Sequence, residues 1–266
     1  MNIVVCIKQI IDPEVPMSQF KIDPRTKRQV QGTNPLVISP YDANALEVAI
    51  KLKEKQGAKV TAISVGGATT IAALKSALSM GADEAILVND PLLAGSDQQG
   101  IAHVLAKTIC KAGAYDLILT GCESGDWADR AVPGFLAEEL GIGYVGYVTR
   151  IEVKDGQVVV RRVVEDGYEL IEAKTPFLAA ISSDETNTAR YAKLKDIMAT
   201  AKKMIPVWKA ADLGLDMEKI GAGAARVEIT DVYIPVKESR CEMIEGNTPE
   251  EKAANLAVKL RELKLI

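Results

Sequence analysis

Three carboxylates lie close together in a loop of small residues between a buried strand and an amphipathic helix. They are Glu123, Asp126 and Asp129, within LILTGCESGDWADRAVPGFLAEEL at 117–140. In an α/β protein, ligands commonly bind at the turn after a strand, yet this turn has neither GxGxxG nor GK[ST]. Carboxylates at such a turn can accept hydrogen bonds from ribose hydroxyls, while Arg130 offsets phosphate charge. In the alternative interpretation, Asp126 and Asp129 only cap the following helix.

Small residues also dominate other loops that are expected at the same edge of the sheet. These loops are Cys6–Gln9, Ser39–Asp42, Ser64–Ala68 and Gly121–Arg130. Small side chains let backbone N–H groups approach a ligand, and helix N-termini attract anions. The pattern predicts a nucleotide phosphate held mainly by backbone donors.

Apolar strands alternate with amphipathic helices over the first 150 residues. The strand Ile3–Ile7 comes first, and a helix that Asp42 can cap and Gly57 can stop follows it. Such alternation with nearly continuous apolar strands is typical of a parallel sheet covered on both faces. We therefore predict an α/β fold with a doubly wound, mostly parallel sheet, Rossmann-like or similar to adenine-nucleotide α-hydrolases.

The second half of the chain has a different character. Three strand-like segments in 144–174 are joined by turns containing Asp155-Gly156 and Asp166-Gly167, dipeptides that favour hairpins. A core strand at 175–182 follows, and the chain beyond Pro206 is irregular and extended up to a helix capped by Thr248. We predict a nucleotide-binding domain at 1–205 with this hairpin insertion, and a C-terminal arm at 206–266 that packs on a partner.

Composition excludes several classes of protein. The 266 residues are 48% apolar and carry a net charge of −4, with Lys and Arg spread along the chain, so nucleic-acid binding is not expected. No apolar run reaches the roughly 20 residues of a membrane span, and MNIVVCIK is unlike a signal peptide. Cys6, Cys110, Cys122 and Cys241 form no CxxC pair, which favours free thiols in a reducing cytoplasm. The single histidine, His103, is expected to be a satisfied helix residue, and no metal site is predicted.

Several motifs along almost the whole chain resemble one known family. CIKQIIDP, SPYDANALEVAIKLKE and SVGG followed by ALSMGADEAILV are similar to its first three blocks. VRRVVEDGYELIEAKTPFLAAI at 160–181 resembles its signature, with Ala179 in place of a larger aliphatic residue. ARYAKLKDIM at 189–198 resembles its recognition loop. The family is the β (small) subunit of electron transfer flavoproteins, and GCESGDWADRAVPG resembles the branch associated with carnitine metabolism, nitrogen fixation and anaerobe complexes.

The resemblance implies a heterodimer with an α subunit that carries an FAD. The β subunit of simple carriers binds AMP, and that of electron-bifurcating members binds a second FAD that NADH reduces. Tyr41 would lie near the flavin of the α subunit. Residues 187–194 would form a docking loop in which Leu194, with Tyr191 nearby, contacts a partner dehydrogenase; in the alternative interpretation, this polar stretch is only a solvated connection. The cofactor contacts would be Cys6, Ser39, Pro40, Tyr41, Asp42, Ser64, Val65, Gly66, Gly67, Gly121, Cys122, Glu123, Ser124, Gly125, Asp126, Trp127, Ala128, Asp129, Arg130, Ala131 and Val132.

We therefore expect a subunit that passes electrons between NADH or an acyl-CoA-type or other dehydrogenase and a redox partner. The loop at 121–130 differs from that of simple carriers, which favours FAD over AMP and an NADH-oxidising, bifurcating complex with ferredoxin as a further acceptor. Trp127 either stacks on a ring or covers the loop. The alternatives are a simple carrier with structural AMP, a non-redox adenine-nucleotide module, and an adenylyl-transferring enzyme that lacks the usual loops.

Overall fold

The computed structural model describes residues 1–154, 157–235 and 241–266, and the chain divides into two compact units, Met1–Thr230 and Asp231–Ile266. The strands are β1 (Asn2–Cys6), β2 (Gln9–Ile11), β3 (Ile22–Asp23), β4 (Arg28–Gln29), β5 (Leu36–Ile38), β6 (Lys59–Val65), β7 (Glu84–Val88), β8 (Leu117–Gly121), β9 (Gly143–Lys154), β10 (Gln157–Val164), β11 (Gly167–Ala173), β12 (Phe177–Ile181) and β13 (Val207–Trp208). The helices are α1 (Pro40–Gln56), α2 (Ile71–Met80), α3 (Gln98–Ala112), α4 (Val132–Leu140), α5 (Leu194–Ala201), α6 (Ala210–Leu213) and α7 (Pro249–Glu262).

One nine-stranded mixed sheet forms the centre of the first unit. Its order is β11-β10-β9-β12-β8-β1-β6-β7-β13. Every pair from β9 to β13 along that order is parallel, whereas β9, β10 and β11 pair antiparallel. Two short antiparallel ladders, β2–β5 and β3–β4, lie outside the main sheet. The predicted α/β class is confirmed.

Both faces of the parallel part of the sheet are buried under helices. Val5 packs in a cluster that includes Leu46 of α1, and its neighbour Val4 packs in a second cluster with Ile109 of α3 and Leu136 of α4. Successive side chains of a strand point to opposite faces, so both positions of each pair need apolar residues. This burial explains the continuous apolar runs from which the strands were predicted.

Helix α1 ends as predicted but begins differently. Gly57 adopts the left-handed conformation with φ of 69°, and its N–H donates to the carbonyl of Lys53. The helix begins at Pro40 after Ser39, which makes no side-chain capping bond. The prediction that Asp42 caps α1 is therefore wrong, because Asp42 lies inside the first turn and turns its carboxylate toward other backbone groups.

The region after residue 141 is joined closely to the main sheet. The first half of β9 pairs parallel with β12, and its second half pairs antiparallel with β10. The turn between β10 and β11 is at Glu165–Asp166, while Asp155 and Gly156 lie outside the described residues. Strand β13 pairs with β7, so Val207 and Trp208 belong to the main sheet. The division of the chain at residue 205 remains a prediction.

The second unit contains the predicted terminal helix. The hydroxyl of Thr248 accepts a hydrogen bond from the N–H of Glu251, and the carboxylate of Glu251 accepts one from the N–H of Asn247. Pro249 occupies the first helical position, so the predicted cap is confirmed. Residues 236–239, part of the predicted extended stretch, lie outside the described residues. Among the helices of the described ranges, none has both the length and the apolar character needed to cross a bilayer.

Candidate functional site

The first turn of α1 holds two strand ends together through one carboxylate. Asp42 is buried, and its two oxygens accept hydrogen bonds from the N–H of Lys8 at 2.8 Å and of Gly121 at 2.7 Å. Lys8 follows β1 and Gly121 ends β8, so Asp42 joins neighbouring parallel strands at their carboxyl edge. Burial raises the pKa of Asp42 to about 7, although the two backbone hydrogen bonds and Lys8 oppose that rise.

Close backbone contacts fix the loop that follows β8. A Cβ on Gly121 would lie 2.6 Å from Oδ1 of Asp42 and 2.8 Å from Cβ of Tyr41, so only glycine fits without movement. The N–H of Gly125 donates to the hydroxyl of Ser39 at 3.1 Å. The loops before α1 and after β8 therefore pack directly on each other, as the sheet topology predicted.

Two acidic side chains of this loop are paired with cations, whereas Asp129 accepts a hydrogen bond from the side-chain amide of Gln98. Asp126 lies 2.7 Å from Nζ of Lys8, and Glu123 accepts a hydrogen bond from Nε of Arg130. Helix α4 begins after Ala131 without a side-chain capping bond, so the alternative that Asp126 and Asp129 cap this helix is wrong. The loop is tightly bent, and Ala128 and Arg130 adopt positive φ values of 54° and 57°. Such strain in residues other than glycine is often found at functional sites.

A cavity of about 910 Å³ opens at this edge of the sheet. Several predicted contact residues line it: Cys6, Asp42, Val65, Gly121, Glu123, Ser124, Trp127, Asp129, Arg130, Ala131 and Val132. Others are outside the lining: Ser39, Pro40, Tyr41, Ser64, Gly66, Gly67, Cys122, Gly125, Asp126 and Ala128. Of these, Ser39 and Gly125 support the loop through their mutual hydrogen bond, and Ser64 donates to the carbonyl of Ile7 at 2.7 Å. For all these positions, contact with a ligand remains a prediction.

Part of the cavity comes from residues that the sequence interpretation missed. They include Thr120, Arg28 on β4, the start of α3 at Ser96–Gln98, and the segment 222–229, whereas Lys8, which also lines the cavity, belongs to the predicted loop at 6–9. The N-cap of α3 is Asp97, whose side chain accepts from the N–H of Gly100. An aspartate at the start of a helical pattern is a sequence signal for a helix N-terminus, so the sequence could have indicated that α3 begins at this edge after β7. Arg28 and the segment 222–229 reach the cavity through tertiary packing, which no local motif indicates. The contact that joins these two parts of the chain is a hydrogen bond of 2.7 Å from Nζ of Lys27, next to Arg28, to the carbonyl of Ile229.

Two polar groups in the cavity lining stand out because they are not committed to other residues. Thr120 is buried, and its hydroxyl has no hydrogen-bond partner within the described part of the chain. Lys8 and Arg130 each pair with a carboxylate, whereas Arg28 makes no ion pair within the described ranges. A buried hydroxyl without a partner is costly, so it marks a position where a bound molecule, an ordered water or a ligand, can supply the missing bond.

Thiols and one phenol near the site are held in their neutral forms. Burial, and secondly the charge of Asp42, raises the pKa of Cys6 above its ordinary value. Burial and then Glu123 raise the pKa values of Cys122 and Tyr41 as well. Cysteines of this kind are poor nucleophiles at neutral pH. No group of side chains in the described residues is arranged to hold a metal ion.

His103 lies away from this cavity and is fully satisfied, as expected. It is buried, its Nδ1 is 2.6 Å from a carboxylate oxygen of Glu139, and its Nε2 accepts from the N–H of Asp216. It joins helices α3 and α4 to the chain near residue 216. The four cysteines are free thiols in this structure, also as predicted.

The two residues predicted to dock a partner lie in a separate, exposed loop. Tyr191 is 99% exposed and Leu194 is 73% exposed, which is unusual for large apolar side chains without a partner. Leu194 begins α5, and neighbouring Lys193 and Lys195 are also exposed. Their role in docking is a prediction that the geometry permits.

Comparison with known proteins identifies the class to which this fold and site belong. The model of the electron transfer flavoprotein domain matches residues 29–213. The chain is 38% identical, over the full length of both chains, to an electron transfer flavoprotein subunit beta from Thermoanaerobacterium thermosaccharolyticum. It is 35% identical, again over both full lengths, to the caffeyl-CoA reductase-Etf complex subunit CarD of Acetobacterium woodii. It is also 35% identical to protein FixA of Azotobacter vinelandii, over 97% of this chain and 92% of that protein.

The chain therefore belongs to the electron transfer flavoprotein family, within its β-subunit group. The family and branch that its motifs predicted are confirmed.

Proposed function

We propose that this chain is the β subunit of a heterodimeric electron transfer flavoprotein and that its cavity binds FAD. The observation that carries this proposal is the cavity of about 910 Å³ at the carboxyl edge of the parallel strands, in a chain of this family. Ligand pockets of proteins commonly measure about 300–1,000 Å³, so this cavity is near the upper end of the range. A dinucleotide suits such a volume better than a mononucleotide, which would fill only part of it.

The residues of the lining fit a dinucleotide. The start of α3 also lies in the lining, but the N–H of Gly100 already donates to the carboxylate of Asp97, so phosphate binding here would rely on the cations of the cavity. The hydroxyl of Thr120 can donate to a ligand oxygen or accept from a ribose hydroxyl. Arg28 supplies a cation with no carboxylate partner among the described residues. These groups lie on different segments around the cavity, as expected for a ligand with two nucleotide halves.

The predicted loop residues would orient the ligand. Asp42 already uses its oxygens to fix the ends of β1 and β8, so it shapes the site more than it contacts the ligand. Glu123 and Arg130 can exchange their mutual bond for bonds to ribose and phosphate. Trp127 lines the cavity, which supports stacking over mere covering of the loop. A flavin bound here would accept a hydride from NADH and pass single electrons onward.

AMP is the second candidate ligand. It is favoured by the fact that the predicted loop at 121–132, together with Asp42, lines only one part of the cavity. A mononucleotide held there would make this protein a simple carrier, with the remaining cavity filled by water. A non-redox adenine-nucleotide module has no comparable support.

We further propose that the α subunit carries the other FAD and that the predicted arm packs on that subunit through the second unit, Asp231–Ile266, since Val207 and Trp208 already pair within the main sheet. One relative is named as a subunit of a caffeyl-CoA reductase-Etf complex, which supports a place for this chain in a complex with a CoA-linked oxidoreductase. The proposal of an NADH-dependent, bifurcating complex with ferredoxin as an acceptor rests on the resemblance of the loop at 121–130. The parallel strands with helices on both faces support a doubly wound, Rossmann-like fold. The free thiols fit a reducing, cytoplasmic setting.

Nucleotide analysis of the purified heterodimer tests this proposal. Acid extraction is expected to release two FAD per heterodimer and no AMP, and NADH is expected to bleach the flavin absorbance. One FAD and one AMP, without reduction by NADH, would overturn the assignment in favour of a simple carrier. A colourless complex without nucleotide would refute both.

Thr120→Val is an informative variant because valine has nearly the shape of threonine. If the hydroxyl serves the ligand, the variant should lose FAD while its unfolding free energy stays equal or rises. Ser76→Ala is a suitable control, because that exposed hydroxyl of α2 bonds only to the carbonyl of Ala72. It should keep its full FAD content.

A further inference from the structure

One arginine fastens the proposed docking loop to the main body of the protein. Nε and Nη2 of Arg190 donate to the two carboxylate oxygens of Glu47, at 2.8 and 3.0 Å. Nη1 and Nη2 donate to the carboxylate of Glu54, at 2.5 and 3.0 Å. The backbone N–H of Arg190 also donates to Glu47 at 3.2 Å. Both glutamates lie on α1, so one loop residue makes five hydrogen bonds to a single helix.

Burial makes this arrangement specific. The side chain of Glu47 is only 3% exposed, and a buried carboxylate is tolerated only when it is paired and hydrogen-bonded. Arg190 holds the pKa of the exposed Glu54 below its ordinary value through a hydrogen bond. A guanidinium fork can bridge two carboxylates in this way, whereas the point charge of a lysine cannot.

The hydrogen bonds of Arg190 to Glu47 and Glu54, which we call the clamp, lie directly before the exposed residues of the loop. Asn187, three positions earlier, is buried and donates to the carbonyls of Thr149 and Ser182. Arg190 is the last such anchor before Tyr191, which is fully exposed.

On the far side of the exposed residues, α5 is attached to α2. The hydroxyl of Thr200 is hydrogen-bonded to that of Ser79, and Nζ of Lys75 donates to the carbonyl of Ala201. Of the loop predicted at 187–194, Asn187 is therefore buried, and the exposed part, residues 191–194, is held at both ends by defined contacts. We use the name docking loop for this exposed part.

We propose that Arg190 is a positioning residue that holds the docking loop in the shape that a partner dehydrogenase recognises. The inference rests on the proposed docking role of Leu194. Four of the five guanidinium N–H groups of Arg190 already donate within the chain, so its effect on a partner passes through the loop. A loop fixed before binding loses less conformational entropy when the partner arrives.

Two variants weaken the clamp without leaving Glu47 buried and unpaired. Arg190→Lys keeps a cation beside Glu47 but cannot bridge both carboxylates. Glu54→Ala removes only the exposed partner, whose side chain is 56% exposed. Arg150→Ala is the control, because it breaks an ion pair with Glu152 in which both side chains are about half exposed.

Limited trypsin digestion of the heterodimer measures the loop directly. Both clamp variants should be cleaved after Lys193 about tenfold faster than the wild type, because cleavage requires a mobile chain. The control should be cleaved there at the wild-type rate. Cleavage rates equal to the wild type in both clamp variants would overturn the proposal.

Electron transfer from an acyl-CoA dehydrogenase, reduced with its own substrate, supplies the second readout. Arg190→Lys should lower the second-order rate constant about tenfold in the wild-type background, with flavin content unchanged. In the Leu194→Ala background the same change should have little further effect, since the anchor is already lost. Additive losses, or faster cleavage with normal transfer, would refute the positioning role. A wild-type heterodimer that transfers no electrons would instead refute the proposed function, while the digestion still tests the clamp.

Discussion

Replacing Gly121 with alanine tests whether the end of β8 must touch the start of α1. The new Cβ would lie 2.6 Å from Oδ1 of Asp42, 2.8 Å from Cβ of Tyr41 and 2.9 Å from the backbone N of Asp42. Two of these three atoms cannot move by side-chain rotation alone. The variant must therefore displace the first turn of α1 or the end of β8, and it weakens the hydrogen bond from Gly121 to Asp42 at 2.7 Å.

The cost of this change follows from two contributions. Overpacking in a tightly packed region costs about 1–3 kcal/mol, and weakening a hydrogen bond to a carboxylate costs about 1.5–3 kcal/mol. We expect the free energy of unfolding to fall by about 3–5 kcal/mol and the nucleotide content to fall with it, because the same contact shapes the cavity.

Gly134→Ala is the matched control for this substitution. Gly134 lies inside α4, and a Cβ there would have nothing within 4 Å. The same chemical change should raise stability by about 0.5–1 kcal/mol, because alanine favours a helix interior. Urea unfolding of both variants at equal protein concentration, together with extraction of bound nucleotide, measures the difference. The reasoning is refuted if Gly121→Ala keeps wild-type stability and nucleotide content.

Three further predictions concern the cavity and the docking loop. Arg28→Gln should weaken FAD binding about 10- to 100-fold and leave AMP binding unchanged, because a charge-assisted bond to the second nucleotide half is lost. Calorimetric titration with both ligands measures this effect, and an equal loss of affinity for FAD and AMP would contradict it. Asp42 has its pKa raised from 3.8 to about 7, so the native state keeps a proton that the unfolded chain releases. The contribution of Asp42 to the unfolding free energy should therefore fall by about 4 kcal/mol as the pH rises from about 4 to about 7. A difference in unfolding free energy between the wild type and Asp42→Asn that is the same at pH 4 and pH 8 would disprove this. Leu194→Ala should slow electron transfer with a partner dehydrogenase about 30-fold and leave the flavin content intact. A destabilised heterodimer with a normal electron-transfer rate would show instead that Leu194 is a core residue.

The sequence by itself determined the class of the fold and the family. Parallel strands buried on both faces are mostly apolar, so Ile3–Cys6 of β1 and Leu117–Leu119 of β8 appear as continuous apolar runs. The glycine that ends α1 and the cap that begins α7 follow from local backbone chemistry, which needs no distant partner. The motif at 160–181 identified the family. The strand-end rule also placed the loops at 39–42 and 121–130 side by side.

Only the tertiary structure decided what individual polar side chains do. Asp42 and Asp126 had the local signals of helix caps, but the structure gives them partners distant in sequence, the N–H groups of Lys8 and Gly121 for the first and the ammonium of Lys8 for the second. Carboxylates satisfy whichever donors the packed chain brings nearest, and a local pattern cannot show donors that are many residues away.

The same reason explains the residues that complete the cavity and the clamp. Arg28, Thr120 and the segment 222–229 meet at one cavity although about 200 residues separate the first from the last. Arg190 and Glu47 are 143 positions apart, and neither belongs to a motif that predicts the other. Periodicity reports which face of an element is buried, whereas the partner of a buried charge is fixed by the packing of whole elements against each other.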